Sequence, residues 1–152
     1  MHWHKLAVLL FGLLMMTACT SSRPLNLGVD NGRLLPCPAS PNCVSSDAAT
    51  DSGHFIEPYQ LQVEPAEAWL QLTSIVKALP RTNVILVNDD YLHAESKSLI
   101  FRFVDDLEFH LRPADQQIAV RSASRLGYSD LGANRRRVEQ MRENLQAQGV
   151  IK

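Results

Sequence analysis

From residue 59 onward, apolar positions fall into short runs whose spacing switches between the two periods of regular structure. Tyr59, Leu61 and Val63 alternate with polar neighbours, which predicts a strand with one buried face. Pro65 suits a first helical position, and Trp69, Leu72, Ile75, Val76 and Leu79 recur at helical spacing until Pro80 stops the helix. Thr82 to Val87 is a β-branched run ending in Asn88-Asp89-Asp90, and Tyr91 to Glu95 alternates again, so the two predict a hairpin. Two further strand segments are expected between Leu99 and Leu111, and another from Gln117 to Ala123 after the loop at Pro113-Ala114-Asp115. A last helix begins at Ser129 or Asp130, either of which can cap it, and runs to Gln148, with Gly149 as stop. The order of strand, helix, adjacent strands and helix predicts an α+β fold. Short connections favour an antiparallel sheet of about four to six strands with both helices on one face.

The first sixty residues read differently. Leu6 to Met16 is almost wholly apolar and ends in Thr17-Ala18-Cys19. About eleven residues at ~1.5 Å each cross only about half of a ~30 Å hydrocarbon core, so the run reads as a signal peptide over residues 1–18 rather than a spanning helix. Met16-Thr17-Ala18-Cys19 resembles the lipobox of bacterial lipoproteins, which implies lipid on Cys19 and a membrane anchor. An ordinary secretory signal and an uncleaved anchor are the alternatives. Thr20 after the lipidated cysteine, rather than Asp, implies the outer membrane with the domain facing the periplasm. Residues 19–33 are small, polar or loop-forming and read as a tether, leaving 34–152 as one domain. The stretch from Val44 to Gly53 is also expected to be irregular.

Cys37 and Cys43 lie in Pro36-Cys37-Pro38-Ala39-Ser40-Pro41-Asn42-Cys43. Export takes the pair to an oxidising compartment, which favours a disulfide over half a zinc site or a redox pair. Closing so short a loop stabilises by roughly 2–2.5 kcal/mol on the chain-entropy account. Lys5 leaves with the signal while all sixteen acids stay, so the mature charge is about −2 and gives no argument for a nucleic-acid partner. No metal-ligand spacing or cofactor motif stands out, and none is expected.

Three placements carry candidate chemistry. Tyr91, His93 and Glu95 share one strand face, which reads either as a solvated face or as a polar pocket in which His93 and Glu95 pair. Strand parity sets Asp105 among Leu99, Phe101, Phe103, Leu107, Phe109 and Leu111, so a bulge at Asp105-Asp106 turns it outward, or Arg121, Arg125 or a helix N–H meets it. Asn134 falls on the helix stripe with Leu131, Val138, Met141 and Leu145, where backbone groups of the Arg121 to Asp130 segment are the expected partners. Arg135, Arg136 and Arg137 fan around that helix as a solvated face or a dock for anionic headgroups. Ser124 or Ser129 with His93 as base is a conceivable nucleophile pair, though Gly127-Tyr128-Ser129-Asp130-Leu131-Gly132 misses the elbow spacing by one residue.

Gly32-Arg33-Leu34, the segment from Pro36 to Ser46, Phe103 to Phe109 and Arg121 to Arg135 together resemble domain-of-unknown-function family 1499. The resemblance implies no established activity. It singles out the cysteine loop, Asp105, Asp106, Arg121, Ser122, Ser124, Arg125, Tyr128, Asp130, Asn134, Arg135 and Arg137 as family features. The leading expectation is a non-enzymatic envelope lipoprotein whose polar cleft takes a polar or anionic small ligand or an envelope protein. The alternative is a hydrolase with Asp105 or Glu95 as general acid/base.

Overall fold

The computed structural model describes residues 23–152, so residues 1–18, expected as a signal peptide, and Cys19 lie outside the described residues. The strands are β1 (Val29–Asp30), β2 (Arg33–Leu34), β3 (Cys43–Ser45), β4 (Tyr59–Gln60), β5 (Thr82–Val87), β6 (Tyr91–Lys97), β7 (Val104–Arg112) and β8 (Gln117–Ser124). Helix α1 spans Pro65–Ala78 and α2 spans Ala133–Ala147. The main sheet is antiparallel, in the order β3-β8-β7-β6-β5, with β4 beside the first residues of β8. β1 and β2 form a small hairpin of their own. The domain is α+β, as the alternation of periods predicts.

Both helices pack on one face of the sheet. Trp69, Leu72 and Val76 of α1 and Val138, Met141 and Leu145 of α2 share one core with Leu92, Leu107, Phe109, Ile118 and Val120. Two buried polar groups tie these layers: Tyr59 donates its hydroxyl to the Val138 carbonyl at 2.8 Å, and Trp69 its indole N–H to Asn88 at 3.0 Å. The other face of the sheet is covered as well. The chain from Arg23 to Leu34, expected as a tether up to Arg33, runs across it, with Leu34 buried beside Tyr91 and Ala119.

Four placements differ from expectation, each for a local reason. The first is Val44 and Ser45, expected to be irregular, which instead pair with Ser122 and Arg121 of β8 as part of β3. Residues 98–103 are a loop, because the β6–β7 ladder ends at Lys97 and Val104 and the Ser98 and Phe103 backbones close the turn. Leu99, Phe101 and Phe103 are therefore exposed instead of buried on a strand. Helix α2 starts at Ala133, since Leu131 and Gly132 take left-handed backbone, and Leu131 leaves the core stripe. The strand expected over Tyr59 to Val63 shortens to β4, with Leu61 bridging Ile151.

The cysteine loop closes as a Cys37–Cys43 disulfide, which fixes the residues before β3. At the other terminus the Gly149 N–H meets the Gln146 carbonyl and the Val150 N–H the Leu145 carbonyl, a paired C-terminal cap built around Gly149 at φ 70°. Gly149→Ala puts a Cβ into that left-handed position, and urea denaturation is expected to register a loss of about 1–2 kcal/mol with the fold intact.

Candidate functional site

Adjacent residues of a strand point to opposite faces, so Asp105 and Asp106 belong to two different clusters separated by the sheet. Asp106 lies on the face that the N-terminal segment covers. The antiparallel register sets Glu95 opposite Asp106, His93 opposite Glu108 and Glu108 opposite Arg121, which makes a continuous charged layer across β6, β7 and β8. Arg121 donates Nη1 to Glu108 Oε2 at 2.6 Å, and the Tyr91 hydroxyl and the Gly28 N–H both reach Glu108 Oε1 at 2.7 Å. His93 Nε2 lies 2.7 Å from Asp106 Oδ1. Arg125 closes the layer, holding Asp106 through Nε at 2.8 Å and Nη2 at 2.7 Å and Glu95 through Nη2 at 2.6 Å. Arg23 adds a 3.4 Å contact to Glu95.

Tyr91, His93 and Glu95 therefore do share a polar pocket, and the solvated-face alternative falls because Tyr91 and His93 are buried and Glu95 is partly covered. Inside it His93 pairs with Asp106 and not with Glu95. Burial opposes ionisation of Asp106, but the hydrogen bonds and charges of Arg125 and His93 outweigh it and hold the carboxyl below its ordinary range. Glu95 behaves alike: burial raises its pKa, and bonds from Arg125 and Arg23 bring it below normal. The hydrogen bond to Asp106 raises the pKa of Arg125, while burial beside Glu108 raises that of Tyr91.

Asp105 lies on the helix face, as parity expects, with no bulge to turn it outward. Its partner is neither Arg121 nor Arg125 but Arg137 of α2, whose Nη2 is 2.6 Å from Asp105 Oδ2. Arg137 Nη1 also reaches Asn134 Oδ1 at 2.7 Å and Ser122 Oγ at 3.1 Å. Asn134 is fully buried and accepts from Ser122 Oγ at 2.5 Å. Its amide donates to Ser124 Oγ at 2.9 Å and to the Asn42 carbonyl at 3.0 Å. Side chains and Asn42 thus satisfy it, in place of the backbone of Arg121 to Asp130. Asp130 caps the first turn of α2 from upstream, accepting from Gly132 N at 2.9 Å and Asn134 N at 2.7 Å. Those bonds overcome the effect of burial and lower its pKa.

The remaining candidates have other duties. Arg135 binds the Gly53 and Phe55 carbonyls and Arg136 the Leu131 carbonyl, so the three consecutive arginines are not a uniform solvated face. Tyr128 is 77% exposed and joins neither cluster. Ser124 bonds Asn134 and Ser129 bonds the Leu131 N–H, which leaves neither as a partner of His93. Among the described residues no three His, Cys, Asp or Glu converge as metal ligands would.

A cleft of about 250 Å³ opens on the charged layer. Asp106, Arg121 and Arg125 form its floor, Ser40 and Asn42 of the cysteine loop one wall, and Pro24 and Asn26 another. Asn42 is fixed by its amide, which donates to the Gly127 carbonyl at 2.6 Å. Arg121 is almost wholly buried, yet its Nε has no acceptor; the other such buried side-chain atom among the described residues is Thr73 Oγ1, away from this cleft. Sequence reasoning passed over Glu108 and the wall that Ser40 and Asn42 give the cleft. The alternation of Asp106, Glu108 and His110 along β7 was the available signal for the first.

Two outcomes test this arrangement. Glu108→Ala leaves the buried Arg121 charge uncompensated and should lower unfolding free energy by about 3–5 kcal/mol, part of which the added change Arg121→Met restores in a double-mutant cycle. Because Asp106, Glu95 and Asp130 have lowered folded pKa values, their contribution is complete above their unfolded pKa of about 4 and is lost as pH falls through the lower folded values. Melting temperature should therefore hold from neutral pH to about pH 5 and drop below about pH 4, with a shallower drop in Arg125→Gln.

Residues 33–145 match the family described as protein of unknown function, DUF1499. No curated protein and no solved structure matches the chain. The match takes in the cysteine loop, both charged clusters and most of α2, and the chain belongs to the DUF1499 family.

Proposed function

We propose that the protein is an envelope lipoprotein, anchored by lipid on Cys19, whose domain is a non-enzymatic binding module for a small polar ligand. The observation that carries the ligand reading is the cleft lined by Asp106, Arg121 and Arg125, where Arg121 keeps a buried Nε without an acceptor. A buried N–H without an acceptor costs about 1–3 kcal/mol, and a ligand oxygen offsets that cost once the lining side chains shift to expose the Nε. The ligand class is a molecule presenting a carboxylate, carbonyl or phosphate oxygen, with hydroxyls or amides for Ser40 and Asn42. The lipobox-like Met16-Thr17-Ala18-Cys19 supports the anchor, and Thr20 supports the outer membrane, facing the periplasm.

The alternative, a hydrolase acting on an envelope component, has less in its favour. A general acid needs a carboxyl whose pKa is raised toward neutrality, whereas Glu95 and Asp106 are both lowered by arginine. Asp105 is bound to Arg137 on the face away from the cleft.

Two experiments test the proposal. Purified full-length protein is screened for melting shifts against small carboxylates, phosphates and sugars. Ala123→Met, which fills the cleft beside Arg121, should abolish any shift, and Asp105→Asn on the opposite face should leave it unchanged. A shift retained in Ala123→Met removes the cleft from the reading. Cys19→Ser should abolish incorporation of labelled fatty acid, and undiminished label would exclude lipid on that residue.

A further inference from the structure

Seven of the twelve large apolar side chains exposed among the described residues gather at one end of the sheet. The loop of residues 98–103, between β6 and β7, presents Leu99, Ile100 and Phe101 at 71%, 79% and 73% exposure, with Phe103 behind them. The Phe101 and Phe103 rings stack at 5.5 Å, so they pair with each other outside the core rather than folding onto it. The loop of residues 125–132 leaves the same end, since Ser124 pairs with Asp105 and the Arg125 N–H meets the Val104 carbonyl at 3.1 Å. It adds Leu126, Tyr128 and Leu131. An apolar group of this extent marks a contact surface.

Charge and chain path identify the occupant. The exposed charged side chains around this end include Arg81, Lys97, Arg102 and Arg136, while the acids nearby, Glu95, Asp105, Asp106 and Asp130, are engaged within the fold. The exposed acids Asp89, Asp90 and Asp115 lie at the far end, in the turns after β5 and β7. A hollow of about 390 Å³ opens beside the apolar loop, lined by Arg81, Lys97, Arg136 and Arg137, and its cations suit phosphate oxygens. Arg23 lies against Glu95, two residues before β6 ends and the loop begins. Arg23, the first described residue, thus sits at this same end, and the four steps of chain between it and Cys19 span at most about 14 Å.

We propose that this end of the domain lies in the interfacial layer of an anionic bilayer. Leu99, Ile100, Phe101 and Phe103 enter the acyl boundary, and Arg81, Lys97, Arg102 and Arg136 meet the headgroups. The inference rests on the anchor reading for bringing a membrane within reach, and its test separates the two. A second protein copy or another partner would bury the apolar loop without placing it among acyl chains.

Full-length protein carrying Phe101→Trp, and separately Val87→Trp at the far end, is reconstituted into phosphatidylethanolamine and phosphatidylglycerol vesicles with brominated acyl chains. Trp69 is common to both, as is Trp3 wherever residues 1–18 are retained. At the ~5–10 Å depth of interfacial side chains, bromine should quench the Phe101→Trp emission about twofold more than that of Val87→Trp. Equal quenching in the two variants overturns the inference, as does a blue shift at position 101 that bromine leaves untouched, the sign of a protein occupant. Intact mass reads lipid on Cys19 independently. Selective quenching in unlipidated protein sustains the membrane-facing end while removing the anchor.

Discussion

The ion pair between Arg121 and Glu108, shut between the sheet and the N-terminal segment, sets the terms for the rest of the molecule. Two opposite charges taken out of water cost several kcal/mol each unless their remaining polar valences are filled. Glu108 has both oxygens filled, by Arg121, Tyr91 and the Gly28 N–H. This explains why residues 23–34 lie on the sheet instead of trailing from it: one of their backbone amides completes a buried carboxylate. Arg121 is less well served, because Glu108 takes Nη1 and leaves Nε unmet. The shortfall falls on a side chain that also lines the cleft. Such pairs are weak contributors to stability, and their constraint is on which neighbours the sheet accepts.

Periodicity made most of the architecture legible. Helix α1 was readable because its apolar spacing is bounded by Pro65 and Pro80, and β5 with β6 because Asn88, Asp89 and Asp90 mark the turn. Parity put Asp105 with Leu107, Phe109 and Leu111, as the ladder has it, but left open a bulge that would turn it outward. Its partner was hidden because Arg137 is 32 residues away on an element whose rotation no local pattern fixes. The parity of Leu99, Phe101 and Phe103 misled for a related reason. Alternation in a loop is indistinguishable from alternation in a strand until the ladder's end is known. The face of β6 that carries Tyr91, His93 and Glu95 stayed divided between a solvated face and a pocket because its cover comes from a polar, glycine-containing segment that looks like a linker by composition.

The family match begins at residue 33, and this divides the cleft. Its floor and the cysteine-loop wall fall within the matched domain, whereas Pro24 and Asn26 come from the chain before it. Asn42 links the two clusters physically. Its carbonyl accepts from Asn134 on the helix side, and its amide holds Gly127 beside the cleft. The disulfide one residue further on fixes the segment that carries it. A tightly spaced cysteine pair in a proline-rich loop thus serves position as well as stability.

Both faces of this sheet are covered, one by an apolar helix layer and the other by charge. An ordinary antiparallel sheet with a wet side pays for a strand slip mainly on its dry face. Here a shift of β7 by one residue would drive Glu108 among Leu72, Val138 and Met141 and set Phe109 against Arg121, an error penalised on two sides at once. The strand is therefore proofread from both directions as it docks, and charge sealed beneath the leading segment acts as the second check on alignment.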